Sequence, residues 1–366
     1  GNIFGAPLAF EALLAFFMES TFLGLWIFGW GRIPEKVHVM CIWLVHIGTV
    51  LSAYFILAAN SWMQTPAGFE VVNGQFRPTD WSEAIFNPSF VWRYPHMLLA
   101  VLISTSLLIA AVGGYYLRRN RHRAFARRAL SMAMGVLALL LPVQLYIGDQ
   151  VALRYVGPDQ LPKLASLEGH WDSTGTDYNL IVIPDMEEQR NHLEISVPWL
   201  GSAIAKDLSG QTPAPGMDLV PRDQQPNMWA TFYGFRVMFY ASMVMFFAAF
   251  ASVVLRLRRR LYVASWFHRF VTWLAPVGVL AVIAGWVLAE SGRQPWVVYG
   301  QMATEDGVSA LAPTSVLVSF VGFLALYLTL LGVWVRYVVI QVRRGPDPAD
   351  LEPVPGATAA RAGGGA

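Results

Sequence analysis

The sequence has little cysteine and little charge. Its single cysteine, Cys41, lies in an apolar segment, which excludes a disulfide framework, a CxxC pair and the CxxCH motif that attaches haem covalently. Charged residues make up 14% of the 366 residues, against about 25% in soluble domains. The formal net charge of +2 gives no basis for nucleic-acid binding. No internal repeat indicates a transporter built from inverted halves.

Hydrophobic residues, by contrast, make up 55% of the chain, and the mean hydropathy is +0.45. A helix that spans a membrane needs about 20 consecutive apolar residues, and seven segments meet this requirement. We therefore predict an all-α fold, a polytopic transmembrane helix bundle. Its predicted spans are 5–30, 37–60, 95–117, 129–151, 228–255, 265–290 and 312–340.

Arginine and lysine cluster in the connections 31–36, 118–128 and 256–263 and after the last span, and are sparse in 61–94, 152–227 and 291–311. Because basic connections face the cytoplasm, we predict a cytoplasmic C-terminus and an external long loop. The predicted domains are four spans (1–151), an outer loop (152–227) with a short helix near Pro162–Trp171, three spans (228–344) and a disordered tail (345–366). The chain starts GNIFGAP, without Met or a signal-like segment, so we expect it to begin inside a longer protein.

Two carboxylates, Glu11 and Glu19, lie inside the first apolar run. An ionised carboxylate at bilayer depth costs at least ~2.5–3.5 kcal/mol, so such residues usually face the protein interior and serve a function. On a regular α-helix they would be roughly 80° apart around the axis and about 12 Å apart along it. This spacing predicts one broad polar face and a proton path through the membrane.

Two later spans contain residues that could bind a haem. His96 begins the third, and Met238 lies in the fifth, two residues after Arg236. An imidazole and a thioether can be axial haem ligands, but a packed methionine and an interfacial histidine are the alternative for any such pair. An arginine inside a span needs an anionic partner, and a haem propionate is one candidate.

The sixth span ends in AESGRQPW, which contains Glu290 and Arg293 between Trp286 and Trp296. An interfacial salt bridge within an aromatic belt is one interpretation of this pattern, and a buried functional acid is the other.

Several segments together resemble subunit I of the cytochrome bd quinol oxidases. They are GAPLAFEALLAFFMESTFLGLWIFGW, VMCIWLVHIGTVLSAYFILAANSWMQTP, LPKLASLEGHW, FYGFRVM and GWVLAESGRQPW. The matching stretches run from Gly5 to about Arg344 in the order found in the family. The GRQPW stretch and the helix with two glutamates are the most specific of them.

The resemblance implies a role for each candidate. His96 and Met238 match the axial ligands of a low-spin haem b, with Arg236 beside it. Lys163 and Glu168 match the pair that binds quinol on the outer loop.

Glu290 matches the acid that ligates a high-spin haem in the di-haem oxygen site. Trp286 matches the tryptophan between haems, and Arg293 the arginine near the haem propionates. The implied cofactors are a low-spin haem b, a high-spin haem b and either haem d or a third haem b.

Glu11 and Glu19 match the acids near the oxygen-reducing haem and its proton path, and Ser52 and Asn60 match polar positions along that path. The family works in the bacterial cytoplasmic membrane with a similarly folded subunit II and small single-span subunits. It oxidises quinol outside and reduces oxygen to water with cytoplasmic protons, which generates a proton motive force without pumping. The sequence leaves open whether the quinol is ubiquinol or menaquinol.

In one respect the chain departs from the family, which has about nine spans. Two of them precede the position of Gly5, and the first carries a histidine that ligates a high-spin haem. Neither His38 nor His46 is a natural substitute, because their span matches a different part of the family. A non-catalytic fragment is therefore one alternative, which oxygen uptake after restoring the two N-terminal spans would test. A haem-free proton-coupled transporter is another, which a reduced-minus-oxidised absorption spectrum would distinguish from the oxidase.

Overall fold

A computed structural model of the chain describes residues 2–156, 160–201, 215–308 and 310–346. It confirms the helical class and the seven spans, with boundaries shifted by a few residues. The helices long and apolar enough to cross a membrane are Gly5–Phe28, Glu35–Gln64, Phe90–Arg118, Arg123–Leu153, Met228–Leu257, Ser265–Ser291 and Pro313–Arg344. The predicted tail lies outside the described residues from position 347 onward.

The first span is not a regular α-helix. It consists of α1 (Gly5–Phe10), a π-helical turn (Glu11–Phe16) and α2 (Phe17–Phe28). The wider turn begins at Glu11, and π-helical turns occur frequently at functional sites. The angle of roughly 80° between the two glutamates assumed a regular α-helix, and that assumption is wrong for this span.

The remaining spans are α3 (Glu35–Gln64), α5 (Phe90–Arg118), α6 (Arg123–Leu153), α8 (Met228–Leu257), the pair α9 (Ser265–Trp273) and α10 (Val277–Ser291), and α11 (Pro313–Arg344). The short helix α4 (Trp81–Ile85) precedes α5. Pro276 lies between α9 and α10, where a missing amide proton and a ring clash interrupt the helix. The apolar face of each span is long enough to cover the hydrocarbon layer.

The loop between α6 and α8 contains regular structure. Helix α7 (Leu161–Glu168) confirms the predicted short helix and ends at Gly169, whose φ is 76°. Strands β3 (Tyr178–Asp185) and β4 (Arg190–Val197) form an antiparallel hairpin that the sequence did not predict. Met228 and Phe232 of α8 pack in one buried cluster with Ala165 and Val182, so the loop is anchored on a spanning helix.

Two smaller hairpins complete the secondary structure. Strands β1 (Phe69–Val72) and β2 (Gln75–Pro78) are joined at Asn73 and Gly74, both at positive φ. Strands β5 (Trp296–Val298) and β6 (Met302–Ala303) follow α10.

The chain divides into two compact units. The first contains Gly1–Ser104, Leu139–Phe246 and Val277–Gly307, and the second contains Thr105–Ala138, Phe247–Pro276 and Val308–Ala366. All twelve residues singled out above as candidate site residues lie in the first unit.

Candidate functional site

Both carboxylates of the first span face helix α3. The Ser52 hydroxyl donates a hydrogen bond of 2.8 Å to Oε1 of Glu11. Glu19 packs against Gly48, where an added Cβ would lie 3.2 Å from the Cβ of Glu19. Gly48 and Ser52 are one helical turn apart, so they occupy the same side of α3. The structure thus brings Glu11 and Ser52 into direct contact, with Glu19 on the same pair of helices.

Glu290, near the end of α10, is held by two donors. Nδ2 of Asn60 donates to its Oε1 over 2.9 Å, and Nη2 of Arg293 lies 2.7 Å from its Oε2. A carboxylate offers about four lone-pair sites, so these two contacts leave acceptor capacity on the group. Arg293 itself is buried. The geometry fixes the orientation of Glu290 while leaving it able to bind a further partner.

Arg93 of α5 is a functional candidate that the sequence did not reveal. Its Nη2 donates to Oδ1 of Asn60 over 2.7 Å and its Nη1 to Oγ of Ser61 over 3.3 Å. Its guanidinium lies 5.8 Å from the ring centroid of Trp286. The predicted span began at residue 95, which left Arg93 in a loop, whereas α5 begins at Phe90. Had Arg93 been placed inside the span, we would have inferred that it needs an anionic partner, as for Arg236.

Lys163 of α7 is fully buried, with 1% of its surface exposed. Its Nζ donates to Oε1 of Gln64, at the end of α3, and lies 4.9 Å from the ring centroid of Tyr155. Nε2 of Gln64 donates in turn to the carbonyl of Ala289 over 3.1 Å. Gln64 therefore joins the loop helix to the residue before Glu290, a connection that no local sequence pattern indicates.

The surroundings of Lys163 disfavour the charged form of its amine. Burial lowers the pKa of Lys163 well below its ordinary value, because desolvation disfavours the charged form. Arg93 and Arg293 push the pKa in the same direction, and Glu290 opposes them. Burial likewise raises the pKa of the neighbouring Tyr155.

Glu168 contacts Arg236. Nη2 of Arg236 lies 3.5 Å from Oε2 of Glu168, and its Nε donates to the carbonyl of Asn179 over 2.7 Å. Residues five positions apart on a helix are separated by roughly 140°, so Lys163 and Glu168 point from different faces of α7. The structure gives the two predicted quinol-binding residues separate polar partners.

Arg236 is 1% exposed. Its guanidinium carbon lies 4.3 Å from the ring centroid of Tyr178 and 4.4 Å from that of Phe232. Burial raises the pKa of Tyr178, and the nearby Arg236 opposes that shift. A buried guanidinium among aromatic rings needs an anionic or carbonyl partner for each of its donors.

His96 and Met238 each face a glycine of a neighbouring helix. A Cβ at Gly148 of α6 would lie 3.3 Å from Cε1 of His96, and a Cβ at Gly285 of α10 would lie 2.9 Å from Sδ of Met238. Nε2 of Gln144 lies 3.4 Å from Nε2 of His96. The absence of a side chain at both glycines allows the two candidate ligands to pack closely against α6 and α10.

Comparison with known proteins bears on what these residues do. A family model described as cytochrome bd terminal oxidase subunit I matches residues 1–346. Cytochrome bd ubiquinol oxidase subunit 1 of Bacillus subtilis (strain 168) is 34% identical, covering 98% of this chain and 79% of that protein. Cytochrome bd-II ubiquinol oxidase subunit 1 of Escherichia coli (strain K12) is 29% identical, covering 96% and 82%.

The chain belongs to the cytochrome bd terminal oxidase subunit I family. The solved structure of the bd oxidase from Geobacillus thermodenitrificans is also similar, with a TM-score of 0.82 at 28% identity over 94% of this chain and 79% of that one. The resemblance seen in the sequence is confirmed. The protein is a bacterial membrane protein and a subunit of a quinol oxidase that works in a complex with a subunit II. Membership in this family identifies the chain as an oxidase subunit and excludes the haem-free transporter.

The cytochrome bd family uses haem, and the polar atoms of this chain suit it. Several buried nitrogen atoms have no hydrogen-bond partner within the described ranges: Nδ1 of His96, Nη1 of Arg236, and Nε and Nη1 of Arg293. Buried polar groups without partners are rare in folded proteins. Haem propionates are anionic acceptors for guanidinium donors, and a histidine nitrogen is an iron ligand. The residues present therefore fit the group.

Proposed function

We propose that this chain is the subunit that binds the haems and the quinol of a quinol:oxygen oxidoreductase. The observation that carries the proposal is the set of buried nitrogen atoms without partners on His96, Arg236 and Arg293. A packed structural core would leave such donors satisfied. Arg236 lies next to Glu168 and Arg293 next to Glu290, so both guanidinium groups that could bind a propionate are adjacent to other candidate site residues.

The haem ligands follow from these contacts. His96 and Met238 would hold a low-spin haem b, with Arg236 binding a propionate. Glu290 would ligate a high-spin haem, and Asn60 and Arg293 fix its carboxylate. When bound, the haems supply one-electron transfer from quinol and the reduction of dioxygen. The type of the high-spin haem, b or d, is open.

Quinol oxidation is assigned to the loop that carries Lys163 and Glu168. The relatives named above are ubiquinol oxidases, so a quinol is the expected substrate, with ubiquinol and menaquinol both open. Glu168 is held by Arg236, and its side chain keeps 14% of its surface exposed, so it can accept a proton from a quinol hydroxyl. Lys163 is buried, and we assign it to positioning the loop through Gln64.

Proton delivery is assigned to the first span and α3. Glu19, Glu11 and Ser52 lie along one side of these helices, and Asn60 is two turns beyond Ser52 and bonded to Glu290. A carboxylate hydrogen-bonded to a hydroxyl can take up and pass on a proton. Protons taken from the cytoplasm by this path and released outside by quinol would generate a proton motive force without pumping.

Orientation and further partners complete the proposal. The basic connections 118–128 and 256–263 support a cytoplasmic location for their ends of the helices and for the C-terminus. The loop that carries Lys163 then faces the periplasmic or extracellular side. Small single-span subunits are additional partners.

The test is quinol-dependent oxygen uptake by the purified complex. We expect Glu168→Gln to slow quinol oxidation strongly while the haem content stays unchanged, because the variant removes the proton acceptor. Glu188→Gln is the matched control, since Glu188 lies in the same loop and pairs with the exposed Arg190. Equal activity in Glu168→Gln and Glu188→Gln would remove Glu168 from the reaction.

A further inference from the structure

A groove lies in the second unit, between the end of α8 and the start of α9. Its volume is about 530 Å³, within the range of roughly 300–1,000 Å³ typical of small-molecule sites. Most of its lining is apolar and includes Phe247, Phe250, Val254, Val263 and Trp266, and two cationic residues complete it, Arg258 and Arg260. The groove thus combines a hydrocarbon-like wall with positive charge.

The two arginines of the groove differ from Arg256 and Arg127 in having no partner. Arg256 donates to the side chain and carbonyl of Ser131 over 2.9 and 2.8 Å. The guanidinium of Arg127 lies 4.5 Å from the ring centroid of Tyr262. Arg258 and Arg260 are exposed, as Arg256 is, but within the described ranges neither side chain has a hydrogen bond or ion pair.

The described residues of the second unit include no acidic counter-ion. Within the described part of the second unit, all the acidic and basic side chains, histidine apart, are arginines, and none is an aspartate or glutamate. An anion for Arg258 and Arg260 must therefore come from outside this part of the chain. Arginine suits phosphate in particular, because its planar guanidinium can donate two parallel hydrogen bonds to one phosphate group.

The location specifies the kind of anion. Arg258 directly follows α8, which is long enough to span a membrane, so the groove lies where hydrocarbon gives way to headgroups. Trp266 is 54% exposed, as is common for tryptophan at this depth. Basic pockets at the ends of spanning helices bind anionic lipid headgroups.

We propose that this groove binds one anionic phospholipid. An acyl chain lies along Phe247 and Phe250, and the phosphate bonds to Arg258 and Arg260. The lipid neutralises two charges that the described part of the chain leaves unpaired. This site is separate from the haem and quinol residues, which all belong to the first unit.

The experiment uses the purified complex in nanodiscs that contain equal amounts of phosphatidylglycerol and phosphatidylcholine. Each lipid in turn carries a photoreactive acyl chain, and cross-links are mapped by peptide mass spectrometry. We expect phosphatidylglycerol to label peptides from 247–266 in preference to phosphatidylcholine. In Arg258→Ala/Arg260→Ala the preference should fall at least tenfold, with an unchanged haem spectrum. Arg343→Ala/Arg344→Ala is the matched control, because it removes the same charge from the end of α11.

A second variant keeps both arginines. Val254→Trp fills the groove and should reduce labelling by both lipids. The proposal is overturned by equal labelling with the two lipids, by an equal loss in the control, or by labelling that Val254→Trp leaves unchanged. Asp347→Asn/Asp350→Asn/Glu352→Gln tests the acidic residues that follow the described residues in the sequence. A gain in lipid labelling there would show that the tail occupies the arginines instead, and would overturn the proposal.

Discussion

The side-chain amide of Asn60 donates a hydrogen bond of 2.9 Å to the carboxylate of Glu290, 230 positions away in the sequence. The same helix, α3, also contacts Glu11 through Ser52 and Lys163 through Gln64. One helix thus contacts the first-span carboxylates, the acid of α10 and the loop. The proposed proton path and the proposed quinol loop meet on a single rigid element.

Glu11 is the first residue to test in the proton path. We expect Glu11→Gln to reduce oxygen uptake by the purified complex on the order of 100-fold, the scale at which a positioned proton donor contributes. The reduced spectrum of the low-spin haem should be unchanged, because Glu11 contacts Ser52 rather than His96 or Met238.

Glu35→Gln is the control for this variant, since Glu35 is exposed at the start of α3 and loses the same charge. Normal turnover in Glu11→Gln, or an equal defect in Glu35→Gln, would exclude Glu11 from the path.

Lys163 should affect quinol binding through the position of the loop. Lys163→Ala removes the hydrogen bond to Gln64 and leaves a buried acceptor without its donor, which costs about 1–3 kcal/mol. We expect the apparent KM for quinol to rise about tenfold, with normal haem content. Arg190→Ala removes an exposed cation from the same loop and should leave KM unchanged. A KM that does not respond to Lys163→Ala would refute the assignment.

The depressed pKa of Lys163 also has a consequence for stability. Between that folded-state pKa and the ordinary value of 10.5, the unfolded chain binds more protons than the folded one. The free energy of unfolding of the wild type therefore rises with pH in this window. Lys163→Met lacks this contribution, so its Tm minus that of the wild-type complex should decrease from pH 7 to pH 10. If the Tm difference stays constant or increases between pH 7 and pH 10, the lowered pKa of Lys163 is contradicted.

Gly285 tests the space beside Met238. In Gly285→Ala the new Cβ would lie 2.9 Å from Sδ of Met238, so the flexible thioether must move. We expect the low-spin haem signal to convert largely to high-spin, as detected by absorption or paramagnetic resonance spectroscopy of the complex. Gly135→Ala is the control, because nothing lies within 4 Å of a Cβ at that position. An unaltered spin state in Gly285→Ala would argue against Met238 as a ligand.

The sequence predicted the spans well, because runs of about 20 apolar residues are uncommon outside helices that cross a membrane. The sequence did not reveal Arg93 as a candidate. Span boundaries were placed where the hydropathy decreases, and the predicted span therefore began five residues after the start of α5. The sequence also missed the β3–β4 hairpin. That turn uses Gln189 at a φ of 52° and lacks the Asn-Gly signal, which does occur at Asn73 and Gly74.

The candidate site was predicted mainly through family resemblance. Composition and spacing identified Glu11, Glu19, Arg236 and Glu290 as residues that are costly in a membrane. They could not identify the residues that these four contact. The contacts of Glu168 with Arg236 and of Lys163 with Gln64 join residues 68 and 99 positions apart. The π-helical turn at Glu11 depends on packing and has no local sequence signal.

The most direct test of the account is the reduced-minus-oxidised absorption spectrum of the purified complex, prepared with haem in ample supply. We predict a low-spin haem signal in the wild type that is lost in His96→Ala and in Met238→Leu. It should persist in His192→Ala and Met243→Leu, the controls from the exposed hairpin and from the same helix as Met238. A wild-type complex without colour, or variants at His96 and Met238 with an intact low-spin signal, would contradict the assignment of this chain as the haem-binding subunit.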